Sequence, residues 1–367
     1  MRIALVHDFF CQYGGAERVL EALHDLYPQA PVYLPFHDPR TAPPTWRRWE
    51  IRTSFLQRFP AWKRFFRLYL LWYPLAFESF DLRGYDLILS SSSAFAKGVI
   101  PAPGARHICY CHNPARFLWT PATYLERERL GRAARILLAP ALSRLRVWDL
   151  STNDRVDAFI ANSRTVAQRI ARFYRRESTV IHPPVAVGSF PLAKGRGRYF
   201  LTGGRLVPHK RFDVAIQACS IVGLPLVVFG EGRDRRRLEA LAGPTVKFVG
   251  RVSEEKLREL YLDCRAFLFP SEEDLGIGPI EAMACGRPVI AYAAGGALET
   301  VVPGRTGILF SPQRPEALVE VLAGFREEDF DPSAIRQHAE QFDTSVFRQR
   351  IAVFVSTAME DVPGAQV

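Results

Sequence analysis

Two carboxylates, Glu273 and Glu281, stand eight positions apart in the stretch EEDLGIGPIEAMACGRPVIA, which begins at Glu272. Carboxylates accept paired hydrogen bonds from vicinal hydroxyls. One of the two could therefore grip a ribose and the other a hexose, a span that fits a nucleotide sugar. Gly276 and Gly278, with Ile277 between them, allow a tight bend after FLFPS. The pattern predicts a helix from about Pro279 with Glu281 in its first turn, where a carboxylate is favoured. Helix capping would account for Glu281 equally well, and a solvated loop for Glu273.

The remaining candidates also follow strand-like segments. GGRLVPHKRFD places Gly204, Arg205 and Lys210 on one Pro-containing loop. An Arg fork and a Lys point charge could together neutralise a diphosphate; two solvated surface cations would look the same. YGGAERVL puts Gly14 and Gly15 between the first strand and a helix, so backbone N–H groups could approach a phosphate at a helix N-terminus. A tight turn would need the same glycines. The spacing is not G-x-G-x-x-G, which disfavours a nicotinamide dinucleotide. FVGRVS, with Gly250 and Val252, could hold a nucleobase edge through main-chain contacts. CHNPARF places His112 at a strand end beside Asn113 and Arg116. There a histidine could hydrogen-bond a sugar hydroxyl, or serve only as a loop or capping residue.

These loops are punctuation in a repeated strand–loop–helix pattern. RIALVHDF reads as a strand and AERVLEALHDLY as an amphipathic helix with Val19, Leu20, Leu23 and Leu26 on one face. YDLILSSSS, RHICYCHNP, VDAFIANS and STVIHPP continue the series. The segment 183–197, rich in Pro and Gly, reads as a linker. A second alternation then starts at RYFLTGGRL, and helical patterns at about 314–324, 332–341 and 345–360 close the chain. Alternating strands and helices predict parallel sheets covered on both faces. The fold class expected is α/β, two Rossmann-like doubly wound domains facing across a cleft. The expected boundaries are 1–185, 186–343, and a C-terminal helix in 344–367 that packs back toward the first domain. Ligands of such sheets bind outside the carboxyl ends of the strands, where all the candidates fall.

Taken together, EEDLGIGPIEAMACGRPVIA, GGRLVPHK and YGGAERV resemble glycosyltransferase family four over nearly the whole chain. The segments CYCHNPARFLW and PSEEDLGIGPIEAMACG are most similar to the bacterial mannosyltransferases that build O-antigen and exopolysaccharide units. The resemblance implies the GT-B fold and retaining transfer of a hexose, by front-face attack, to a lipid-linked oligosaccharide. It implies Gly15 near the donor phosphates, Arg205 and Lys210 on the diphosphate, Glu273 on the transferred sugar, Glu281 on the ribose and His112 lining the sugar site. The expected donor set is Gly14, Gly15, Gly204, Arg205, Lys210, Gly250, Val252, Glu273, Gly276, Ile277, Gly278 and Glu281. His112, Arg205, Lys210 and Glu273 are expected to be catalytic, and Asn113 and Arg116 to lie on the acceptor side. The family often has Glu-Gly-Phe-Gly where this chain has Glu273-Asp274-Leu275-Gly276, and Asp274 adds a charge near the sugar pocket. GDP-mannose is the donor this likeness favours; a UDP-sugar is the alternative, and an epimerase or phosphorylase on the same fold is another. No Asp-x-Asp motif stands at a strand end, so no cofactor or metal is expected.

Composition sets the remaining bounds. At 367 residues, 48% of them hydrophobic, the chain can bury two cores. The net charge of +10 is uneven: residues 1–195 carry 27 Lys and Arg against 15 Asp and Glu, and residues 196–367 carry 21 against 23. A basic first half suits phosphates or an anionic membrane. A nucleic-acid partner is not expected, because the charge forms no recognisable binding motif. Residues 57–77, QRFPAWKRFFRLYLLWYPLAF, could form a basic amphipathic helix on a bilayer, or a core helix with snorkelling cations. The arginine-rich segment 125–146 could extend that surface. The six cysteines show neither a disulfide framework nor metal spacing. Read as reduced thiols, and with no signal-peptide or membrane-spanning pattern, they lead to an expected location in the cytoplasm, peripheral on the inner face of the plasma membrane.

Overall fold

The computed structural model describes residues 1–8, 14–40, 42–120 and 132–360. They divide into two units: Met1–Pro184 with the chain from Phe347 onward, and Val185–Val346. The first unit is built on strands β1 (Ile3–His7), β2 (Val32–Leu34), β3 (Ile51–Thr53), β4 (Leu87–Ser92), β5 (Arg106–Cys111), β6 (Ala158–Ala161) and β7 (Thr179–Val180). Their order is β3-β2-β1-β4-β5-β6-β7, and the described pairings are all parallel. Strands of such a sheet are buried on both faces and read as continuous apolar runs. β4 is buried along its whole length, its last three residues being Ser90, Ser91 and Ser92.

The second unit holds β8 (Tyr199–Gly203), β9 (Leu226–Phe229), β10 (Val246–Gly250), β11 (Cys264–Phe269), β12 (Val289–Tyr292) and β13 (Gly307–Phe310). Their order is β10-β9-β8-β11-β12-β13, again in parallel. This is the expected α/β class, two doubly wound sheets. The C-terminal helix Thr344–Glu360 places Phe347, Ile351 and Val355 four residues apart on one stripe. That stripe is buried with Leu5, Leu20, Tyr110 and Ile181 of the first unit.

Three local expectations change. The stretch 183–197 is not a free linker but a strap packed on the second unit. Val185, Val187 and Phe190 are buried. Val185 N donates to Phe342 O at 3.0 Å, Ala193 N to Cys285 O at 2.9 Å and Gly197 N to Glu327 Oε1 at 2.9 Å. Prolines remove N–H groups, but these amides find partners on the second unit. Residues 57–77 are not one helix. They run through short helical segments, 3₁₀ at Phe55–Arg58 and Phe66–Trp72 and α at Trp62–Phe65 and Tyr73–Glu78. Pro60 and Pro74 interrupt the amide ladder, and aromatic packing takes its place: Trp62 stacks on Phe36 at 4.8 Å and Tyr73 on Phe95 at 4.9 Å. The strands β2 and β3 have only three residues each and leave no periodic signal. Of the segment 125–146, residues 125–131 lie outside the described residues, as does Cys11. Cys109, Cys111, Cys219, Cys264 and Cys285 are free and buried, and burial pushes the thiols of Cys109, Cys219 and Cys285 up to about 12.

One buried charge is built into the first unit. The Lys97 ammonium, 1% exposed, lies 3.1 Å from Asp149 Oδ1 and donates to Thr152 Oγ1 at 2.5 Å and Asn153 Oδ1 at 2.9 Å. It also lies 4.6 Å from the centre of the Tyr174 ring. Trp119 Nε1 donates to the other Asp149 oxygen at 2.6 Å. Breaking one side of such a pair leaves an uncompensated buried charge. Lys97→Met is therefore expected to lower the unfolding free energy by about 3–5 kcal/mol in a urea titration. A loss below about 1 kcal/mol, the range of an exposed pair, would contradict this account.

Candidate functional site

In the second unit the strand order changes direction between β8 and β11, which opens a crevice beyond their carboxyl ends. The loops that leave these two strands are tied together there. Ser271 Oγ donates to Lys210 O at 2.7 Å. Gln313 Nε2 donates to Pro270 O at 2.7 Å, and Gln313 Oε1 accepts from Arg211 Nη1 at 3.1 Å. This clamp sets the Lys210 ammonium 3.0 Å from Glu273 Oε1, with both side chains largely buried. Gly230, after β9, packs so closely that a Cβ there would stand 1.8 Å from Gly204 O. Gly204, Lys210 and Glu273 thus converge at the switch point, and Arg205 stands exposed on the same loop.

The bend after β11 ends at Gly276, whose φ of +86° suits glycine and whose Cβ would lie 2.6 Å from the Phe269 ring. The helix then spans Ile277–Ala284. It begins two residues earlier than the sequence suggests, so Glu281 falls in the second turn rather than the first. The macrodipole is weaker there. A phenol reaches Glu281 there: Tyr261, on the helix Glu254–Asp263, donates to Oε2 at 3.0 Å. Tyr261 is fully buried and Glu281 5% exposed. Burial first, then the Glu281 charge, pushes the Tyr261 hydroxyl well above its ordinary range, so it remains a donor. Gly250 and Val252 leave the edge strand β10, and the Gly250 carbonyl accepts from Gly230 N at 2.7 Å.

The first unit has its own switch point, between β1 and β4. Asp8, just past β1, is buried and accepts from four successive amides, Ser93 to Ala96, three of them at 2.7–2.8 Å. Burial raises its carboxyl, and the amides and His7 work against that shift. Gly14 caps the helix Gly15–Leu26 with an extended φ of −160°, so neither glycine there answers a need for positive φ. His112 follows β5. Its Nε2 lies 2.7 Å from Ser91 Oγ, and Asn162 Nδ2 donates to its carbonyl at 3.0 Å. Asn113 is buried next to it, and Arg116 opens the short helix Arg116–Trp119.

Sequence reasoning missed Tyr261, Ser271, Gln313 and Asp8. Asp8 had a visible signal, an acid ending a buried strand. Tyr261 lies twenty positions from its partner and offered none. Among the described residues, no three His, Cys, Asp or Glu side chains converge as a metal site would require. No helix there is long and apolar enough to cross a membrane.

Comparison with known proteins agrees with this architecture. The family model "Glycosyltransferase Family 4" matches residues 13–188, and "Glycosyl transferases group 1" matches residues 189–342. A GDP-mannose-dependent alpha-mannosyltransferase of Mycolicibacterium smegmatis is 35% identical over 66% of this chain and 67% of its own length. A D-inositol 3-phosphate glycosyltransferase of Streptomyces scabiei is 28% identical over 56% of this chain, and the match spans about half of that relative, 55%. The structure of Anabaena HepE in complex with UDP superposes with a TM-score of 0.71 at 21% identity, covering 97% of this chain and all of that one. The matches run through both units and both strand-end loop sets, and the chain belongs to glycosyltransferase family 4.

Proposed function

We propose that the protein is a retaining hexosyltransferase that moves mannose from GDP-mannose to a lipid-linked oligosaccharide without a metal ion. The observation that carries the reading is the Lys210–Glu273 pair at the switch point of the second sheet, with Glu281 eight residues on. An ammonium has three donors and Glu273 takes one, so Lys210 can also meet a phosphate oxygen. With Arg205 on the same loop, the site can neutralise a departing nucleoside diphosphate. The glycosidic bond to the diphosphate breaks, the acceptor oxygen attacks the same face of the sugar, and its proton passes to the departing phosphate oxygen. Glu273 then orients the hexose and Glu281 the ribose, and neither needs the spacing of a hydrolase carboxylate pair. The GDP-mannose dependence of the Mycolicibacterium relative supports the donor.

The first unit supports the acceptor assignment through charge and exposed apolar surface. Residues 1–195 hold the excess of Lys and Arg. Leu71, Trp72 and Leu75, on the short helical segments of 66–78, are each about half exposed. Aromatic and aliphatic side chains beside cations suit an anionic bilayer surface, the location of a lipid-linked acceptor.

Two measurements test this. In the presence of EDTA, purified protein with a polyprenyl-linked sugar extract should release GDP from GDP-mannose. Lys210→Ala should lower kcat/KM by roughly 10²–10³-fold, as loss of a charge-stabilising group does, and Glu281→Ala should raise donor KM. Turnover of a UDP-sugar alone would sink the mannose assignment, and turnover of no donor by folded protein would sink the transferase reading. In flotation assays, vesicles containing phosphatidylglycerol should retain the protein, and Leu71→Ser with Trp72→Ala should release most of it. Equal retention on neutral phosphatidylcholine would remove the electrostatic part of the surface.

A further inference from the structure

The ends of β1, β4 and β5 carry a line of buried polar side chains that donor binding does not explain. Ser91 Oγ lies 3.0 Å from His7 Nδ1 and 2.7 Å from His112 Nε2. Beyond His7, its Nε2 lies 3.9 Å from Glu17 Oε1, an ion-pair rather than a hydrogen-bond distance. Ser91 is fully buried, His7 2% exposed and Glu17 7%. The sheet register builds the line: His7 is the partner of Ser91 on the neighbouring strand, and Ser91 is the partner of Tyr110. His112, two residues past Tyr110, returns to the same face, with ring centres 5.2 Å apart. Glu17 arrives from the first turn of the helix Gly15–Leu26.

A hydroxyl has one proton and two acceptor lone pairs, so it can donate to at most one of two imidazole nitrogens and accepts from any other. The direction of the line depends on whether His7 Nδ1 carries a proton, and Glu17 decides that. Its carboxylate favours the proton of a neutral His7 on Nε2, leaving Nδ1 as acceptor. Ser91 then donates to His7 Nδ1 and accepts from His112. We propose that Glu17, His7 and Ser91 are positioning residues that fix neutral His112 as its Nε2–H tautomer. In that form Nδ1 is the ring's acceptor atom. It suits a ligand that donates, such as a sugar hydroxyl, and not a phosphate oxygen. This deepens the assignment of His112 to the sugar site and rests on it for its role in transfer, though not for the tautomer itself.

The tautomer can be read without substrate. Protein with ¹⁵N-labelled histidine is examined above pH 8 by long-range ¹H–¹⁵N correlation, with His112→Asn identifying the His112 signals. The expected result is a protonated Nε2 and an unprotonated Nδ1 on His112. Ser91→Ala, and separately Glu17→Gln, should convert this to a mixture of tautomers and lower kcat roughly tenfold, in the range seen when a partner that orients a histidine is lost, with donor KM changed less than about twofold. A His112 that is Nδ1–H in the native protein, or that keeps its tautomer in folded Ser91→Ala, overturns the proposal. Full turnover by His112→Asn would instead remove His112 from the reaction and leave the tautomer assignment standing, because the spectrum needs no turnover.

Discussion

Parallel strands all leave a sheet at the same edge, and their backbone ladders are complete before the loops begin. At the point where strand order reverses, two adjacent strands send their loops apart, so a crevice must form there. In the second unit this constraint brings the loop after β8 against the loop after β11, although 61 positions separate Ser271 from Lys210. Side-chain-to-backbone bonds then fix what topology has brought close. Ser271 and Gln313 hold main-chain carbonyls rather than each other, which defines the loop paths independently of the Lys210–Glu273 pair. That pair, with each side chain about one-fifth to one-quarter exposed, gains more from its attraction than a pair in open water would. It still remains open enough to meet a ligand.

The same constraint acts in the first unit, with a different outcome. There the strand ends carry hydroxyls, imidazoles and acids instead of a lysine. Asp8 takes four amides of one turn and so locks the backbone that follows β4. The buried Lys97–Asp149 pair anchors the end of the same turn. Buried ionic groups of this kind add little net stability over an apolar core. What they supply is one discrete arrangement of the 93–97 turn, which stands next to Ser91 and His112.

Much of this was legible in the sequence, because doubly wound folds advertise themselves through alternating apolar strands and amphipathic helices. The strands that carry the candidate site were all readable, and the carboxylate pair with its glycines marked the loop that follows β11. The failures have physical causes. β2 and β3 were missed because three residues carry no period. The 57–77 segment was read as a helix because its apolar content is high, while its prolines and aromatic stacking favour a chain of short helical segments. The 183–197 strap was read as a linker because Pro and Gly mark breaks in regular structure, not breaks in packing. Tyr261 and Ser91 were missed for another reason. Their roles depend on which helix covers which strand and on register across the sheet, and both are tertiary facts.

Glu281 shows how these levels combine. From sequence alone, an acid just past a glycine bend is explained by the helix dipole, and that explanation requires the first turn. Displaced to the second turn and buried, the carboxylate needs another stabiliser, and Tyr261 supplies it with a hydroxyl that burial and the carboxylate itself keep protonated. A carboxylate offers about four acceptor sites, and the phenol occupies one of them. The hydrogen bond from Tyr261 ties the helix Ile277–Ala284 to the helix Glu254–Asp263. The placement of this carboxylate therefore rests on a contact between two helices, which no local reading of the bend could contain.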